Sequence, residues 1–120
     1  MSSASEITVL AYFRAHDGRV DELKANCQEV TALGVSEPGS LGSRYSFDGD
    51  TALAREDYVS AEAFTTHLEN AHEVALRTAD IADLTRLEIH GPEAELEKLR
   101  EPLAELSPRF FTTGCGFRAP

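Results

Sequence analysis

The stretch SLGSRYSFDGDTALAREDYV, residues 40–59, carries the clearest β pattern in the chain. Residues 40–47 alternate, with Leu41, Ser43, Tyr45 and Phe47 on one side and Gly42, Arg44 and Ser46 on the other. That period belongs to a strand with one buried face. Asp48-Gly49-Asp50 has the composition of a short hairpin loop. Residues 52–59 run back, setting Leu53, Arg55, Asp57 and Val59 against Ala54, Glu56 and Tyr58. An antiparallel hairpin is predicted, and the flanking segments determine what covers its buried face.

Upstream, residues 7–14 (Ile-Thr-Val-Leu-Ala-Tyr-Phe-Arg) are β-branched and aromatic and predict a strand. His16-Asp17-Gly18 marks a turn. Over residues 19–33 the period becomes helical: Val20, Leu23, Cys27 and Val30 or Thr31 recur at three and four, and Gly34 suits a C-cap. Glu37-Pro38-Gly39 is a turn by composition.

Downstream, Ser60 suits the N-cap of a helix that carries Phe64 and Leu68 on one side. Further helical turns follow through Val74, Leu76 and Ala79. Residues 84–90 predict a fourth strand, stopped by Gly91-Pro92. Residues 93–106 place Leu96, Leu99, Leu103 and Leu106 at helical spacing, with a kink or break expected at Pro102. Residues 109–117 predict a fifth strand.

The order is β-α-β-β-α-β with a helix and a strand appended, an α+β, ferredoxin-like arrangement. It predicts a four-stranded antiparallel sheet with its helices on one face. The other face is expected to carry Phe13 or Tyr12, and Phe47 or Tyr45. Pairing two such faces would bury them, so a two-fold homodimer is expected.

The 120 residues suit a single domain, residues 1–120. Hydrophobic residues at 42% and charged residues at 27% exclude a disordered chain. Lys and Arg number 11 against 21 Asp and Glu, a net charge of −10. Phosphate backbones and anionic lipid both require a basic face, so neither nucleic acid nor membrane is an expected partner. No apolar run approaches the roughly 20 residues of a membrane span. Met1 to Glu6 lack the basic and apolar regions of a secretory signal, so a cytoplasmic location is expected. Cys27 and Cys115 form no CxxC pair and are expected to be buried small hydrophobes.

Two stretches resemble the antibiotic biosynthesis monooxygenase-like domains of the dimeric α/β-barrel superfamily. Glu37-Pro38-Gly39-Ser40-Leu41 is similar to that family's EPGxL turn. Arg55-Glu56-Asp57-Tyr58, then Ser60, Glu62-Ala63-Phe64 and His67-Leu68, resembles its strand–helix signature, and His72 falls near a second histidine of many members. The likeness covers residues 6 to about 91 and leaves 92–120 as an extension that could extend the sheet, cross to a partner or close the pocket. It implies a dimeric barrel. It also implies, as one activity among several, cofactor-independent oxidation of a small aromatic or quinol-like compound by O2. Fold alone does not name the chemistry. The chain has no Trp, and its only asparagines are Asn26 and Asn70, so the Trp and strand-borne Asn of haem-degrading members are missing.

The candidate catalytic residues are His67, Glu56 and Tyr58. His67 follows Phe64 by one turn and would face partly toward the sheet, where an imidazole suits proton abstraction from a phenol. A histidine there also packs against a sheet while donating to a strand carbonyl. Glu56 and Tyr58 share a strand face, and Glu56 is expected to set the tautomer of His67. Arg44, on the neighbouring strand, is a candidate partner for Glu56 and a substrate-binding residue, together with Phe64 and His72. His67 and His72 are five apart, about 140° round a regular helix, which does not suit one metal. No metal and no cofactor are expected. Isomerisation of a small carbonyl compound and non-catalytic binding by a dimer are the alternatives.

Overall fold

The computed structural model describes residues 4–120. Its strands are β1 (Ile7–Ala15), β2 (Ser40–Asp48), β3 (Thr51–Tyr58), β4 (Ala82–Gly91) and β5 (Arg109–Thr112). Its helices are α1 (Val20–Val35), α2 (Ala61–Asn70), α3 (His72–Ala79) and α4 (Glu93–Arg100), with a 3-10 turn at Ala104–Leu106. The sheet order is β2-β3-β1-β4-β5. The β2–β3, β3–β1 and β1–β4 pairs are antiparallel, and β5 lies parallel to β4. The fold is the α+β, ferredoxin-like one expected from the element order. No helix among the described residues is long and apolar enough to cross a membrane.

Register sorts the side chains. Val9 is opposite both Glu56 and Ile89, and Ala11 is opposite Ala54 and Leu87, so these six share the face under the helices. Two buried clusters fill that layer. One joins Ile7, Val9 and Ile89 to Tyr58, Phe64 and the α4 leucines, and the other gathers Ala15, Leu23, Cys27, Ala52, Ile81 and Ala82.

Several local expectations are corrected. Helix α1 runs through Gly34 to Val35 and is capped at Ser36, whose N–H donates to the Leu33 carbonyl. Leu41 is the extra residue of a bulge between Ser40 and Gly42, which turns it out to 46% exposure. Strand β5 stops at Thr112, and the Gly114-Cys115-Gly116 run beyond it forms no strand, leaving Cys115 exposed. Phe13, Tyr45 and Phe47 pack inward against the second cluster. The outward face therefore carries fewer aromatics than expected and more charge: Thr8, Leu10, Arg55, Asp57 and His90 line a shallow depression there.

The extension belongs to the core. Leu96 and Leu99 are fully buried and Leu103 nearly so, whereas Leu106 turns out to solvent. Pro102 follows the end of α4 and separates it from the 3-10 turn, as a residue without an N–H does. The Glu95 carboxylate accepts the Ala61 N–H at 2.9 Å, and Ser60 Oγ accepts the Ala63 N–H at 3.2 Å. Two of the free N–H groups that open α2 are thereby satisfied.

Candidate active site

Helix α2 presents His67 on its second turn, with 7% of the side chain exposed. Its Nδ1 lies 2.7 Å from Oε1 of Glu37, which comes from the turn between α1 and β2. Asn70, one turn further along α2, donates to the other oxygen of Glu37 at 3.0 Å. A carboxylate only accepts, so Nδ1 is the donor of this pair, and in the neutral form of the ring Nε2 is an acceptor. Nε2 faces Oε2 of Glu56 across 4.0 Å.

Glu56 is buried on β3 and holds two phenols. Tyr58 donates to Oε1 at 2.9 Å and Tyr45 donates to Oε2 at 3.0 Å. Burial first, then the charge of Glu56, pushes both phenols far above the usual tyrosine range. Both stay protonated and remain donors. The Tyr58 ring packs at 5.2 Å from Phe64 and 5.6 Å from His67, measured between centroids.

A cavity of about 310 Å³ opens beside this cluster, between the sheet and helices α1 to α3. Its walls are alkyl and aromatic, with Glu56, His67 and Tyr45 together and Asn26 and Thr78 as a second polar pair. No lysine or arginine lines it. Asn26 donates to Thr78 at 3.2 Å, tying α1 to α3 across the wall. Leu106 also lines it, so the C-terminal extension reaches the cavity. Cys27 is a wall residue whose thiol is pushed up to about 11, chiefly by burial and then by Glu56.

His67, Glu56 and Phe64 line the cavity together, while Tyr58 stands behind Glu56 in the core. Arg44 does not pair with Glu56. It is exposed and stands opposite Arg55 in the β2–β3 ladder, on the outward face, because a strand turns successive side chains to opposite sides. His72 is exposed and opens α3, and the break at Ala71 does not bring it to His67. The residue that sets the tautomer of His67 is Glu37 rather than Glu56. Glu37 and Asn70 escaped sequence reasoning because a turn residue 30 positions before the histidine has no periodic relation to it; the EPG turn was the only signal. Among the described residues no group of three or more His, Cys, Asp or Glu side chains could hold a metal ion.

The structure of MupZ from Pseudomonas fluorescens superposes with a TM-score of 0.92 at 34% identity, over 97% of this chain and 96% of that one. The chain belongs to the MupZ family. More distant neighbours share the antibiotic biosynthesis monooxygenase-like fold with this chain. A candidate antibiotic biosynthesis monooxygenase from Chloroflexus aurantiacus has a TM-score of 0.64 at 21% identity, over 73% of this chain and 93% of its own. A conserved Bacteroides thetaiotaomicron protein, described as a possible oxidoreductase, has a TM-score of 0.66 at 20% identity, over 72% of this chain and 96% of its own. These two align over nearly their whole length yet leave about a quarter of this chain uncovered, whereas MupZ covers almost all of it. No family model and no curated protein sequence matches the chain.

Proposed function

We propose that the protein is a cofactor-independent monooxygenase acting on a small hydroxylated aromatic or quinol-like compound. The single observation that carries this reading is His67, anchored at Nδ1 by Glu37 and turning Nε2 toward an apolar cavity. An imidazole so held is a general base, and such groups accelerate proton transfer about 10²–10⁴-fold. His67 removes the hydroxyl proton, and the electron-rich anion is then oxidised by O2. One oxygen atom forms a new bond to the substrate carbon and the other leaves as water with the two hydrogens that the substrate surrenders. The substrate supplies all four electrons that O2 takes up, two in the new carbon–oxygen bond and two with the surrendered hydrogens, so the balance requires no external reductant. The imidazolium formed in the first step lies between Glu37 and Glu56, which stabilise its charge.

The reading includes a homodimer joined through the outward sheet face. Arg44 and Arg55 stand directly opposite one another there, and among the described residues neither meets an acidic partner. Like charges so placed destabilise a ladder unless something neutralises them. Asp57 shares that face. A two-fold axis brings the arginines of each copy toward carboxylates of the other.

The test is oxygen uptake by metal-stripped protein with quinols, anthrones and catechols. Uptake above autoxidation that falls at least about a hundredfold in His67→Ala, with folding intact, is the expected result. Uptake unchanged in the variant removes His67 as the base, and no uptake with any of them removes the oxygenase reading.

A further inference from the structure

The polar end of the cavity divides unevenly between donors and acceptors. Both tyrosine protons are spent on Glu56, one on each oxygen. The Nδ1 proton of His67 is spent on Glu37. What faces the gap is a lone pair on Nε2 and a lone pair on Oε2 of Glu56, 4.0 Å apart. That distance is too long for a hydrogen bond between them, and two acceptors would form none. The cavity offers no lysine or arginine to balance an anion.

We propose that this gap receives a neutral hydroxyl donor, an alcohol or a phenol, and rejects carbonyl and carboxylate groups. Glu56 is the acceptor that orients the hydroxyl, and His67 is the acceptor that takes its proton; the inference rests on the reading of His67 as a base. A hydroxyl satisfies the buried Glu56 lone pair in binding and turns to Nε2 for transfer. An incoming carbonyl oxygen faces only lone pairs and loses its hydration without replacement. An incoming carboxylate adds a third negative charge beside Glu37 and Glu56, with no cation to compensate. The rest of the wall is mostly alanine, leucine and valine, so the ligand body need not be aromatic. This selection disfavours holding a carbonyl oxygen at this gap, where isomerisation would need a free donor aimed at it.

The experiment is calorimetric titration of the full chain under nitrogen at neutral pH with four matched probes: 2-naphthol, 2-methoxynaphthalene, 2-acetylnaphthalene and 2-naphthoate. A hydrogen bond to a charged acceptor predicts naphthol binding about tenfold tighter than its methyl ether, with naphthoate weakest. Glu56→Gln supplies an N–H in place of a lone pair and is expected to raise the ketone above naphthol. The proposal is overturned if the ether or ketone matches naphthol on the unaltered chain, if naphthoate binds best, or if naphthol does not bind. Because the titration excludes oxygen, it separates the two readings. Selective naphthol binding without oxygen uptake would retain the hydroxyl site and remove the oxygenase. Uptake without that selectivity would do the reverse.

Discussion

Glu37 does not itself line the cavity, yet it meets the one histidine among the cavity's lining residues. Its Oε1 holds the Nδ1 proton, and Asn70 holds its Oε2 in place. Glu37→Gln keeps a carbonyl for Nδ1–H but removes the charge that stabilises an imidazolium. The expected effect is a fall in kcat of at least about a hundredfold with KM little changed, read by steady-state kinetics on any substrate that the chain turns over. Equal losses in both parameters, or none, would show that Glu37 does not position the base. His67 was recognisable in the sequence as a candidate base, and Glu37 only as part of a turn. Their pairing was not, since a hydrogen bond across 30 positions depends on where a turn lies after folding.

Helix α2 is held from two directions at its start, and both supports lie far from it in the chain. Glu95 of α4 accepts the Ala61 N–H. On the other side, Gly39 lies so close that an added Cβ would stand 2.4 Å from the Ala63 Cβ. That contact is backbone-borne, so Gly39→Ala forces the turn and the helix apart. A loss of about 1–3 kcal/mol in stability is expected, measured by urea denaturation. The same turn carries Glu37 and the same helix carries His67, so activity falls by more than the folded fraction explains. The elements themselves were legible from the period of their apolar residues. The hairpin, the helix of Leu23 and Cys27, and the break at Pro102 all follow from local pattern. The bulge at Leu41 and the end of β5 at Thr112 did not, because both are decided by hydrogen bonds from a neighbouring strand.

At the scale of the molecule, one layer of helices covers one face of the sheet and leaves the other open. Sedimentation at micromolar concentration is expected to give a dimer, weakened by Arg55→Glu, which sets a further carboxylate beside Asp57; an unchanged monomer at all concentrations removes the dimer. Base should also unfold the protein early. Burial raises the thiol of Cys27 to about 11 and raises the phenols of Tyr45 and Tyr58 further, with Glu56 adding to each. The folded state then holds these protons more tightly than the unfolded chain. Their contribution is intact below the unfolded values and is lost as pH rises above them. The denaturation midpoint should fall as pH rises from about 9 towards about 11, with the phenols adding to the loss above about 10, and a flat profile would contradict the buried cluster.

Local spacing was enough to read the element order, the four-stranded antiparallel core of the sheet and a histidine on the second turn of a helix. Those follow from spacings of two, three and four residues, which the backbone enforces locally. Packing of the whole chain decided that Glu37 holds His67, that Tyr45 and Tyr58 spend their protons on Glu56, and that Arg44 faces away from all of them. It also decided that the C-terminal extension completes the core and reaches the cavity through Leu106. Each depends on strand register and on a turn brought against a helix, and these are set by the packing of the whole chain rather than by any local stretch of it.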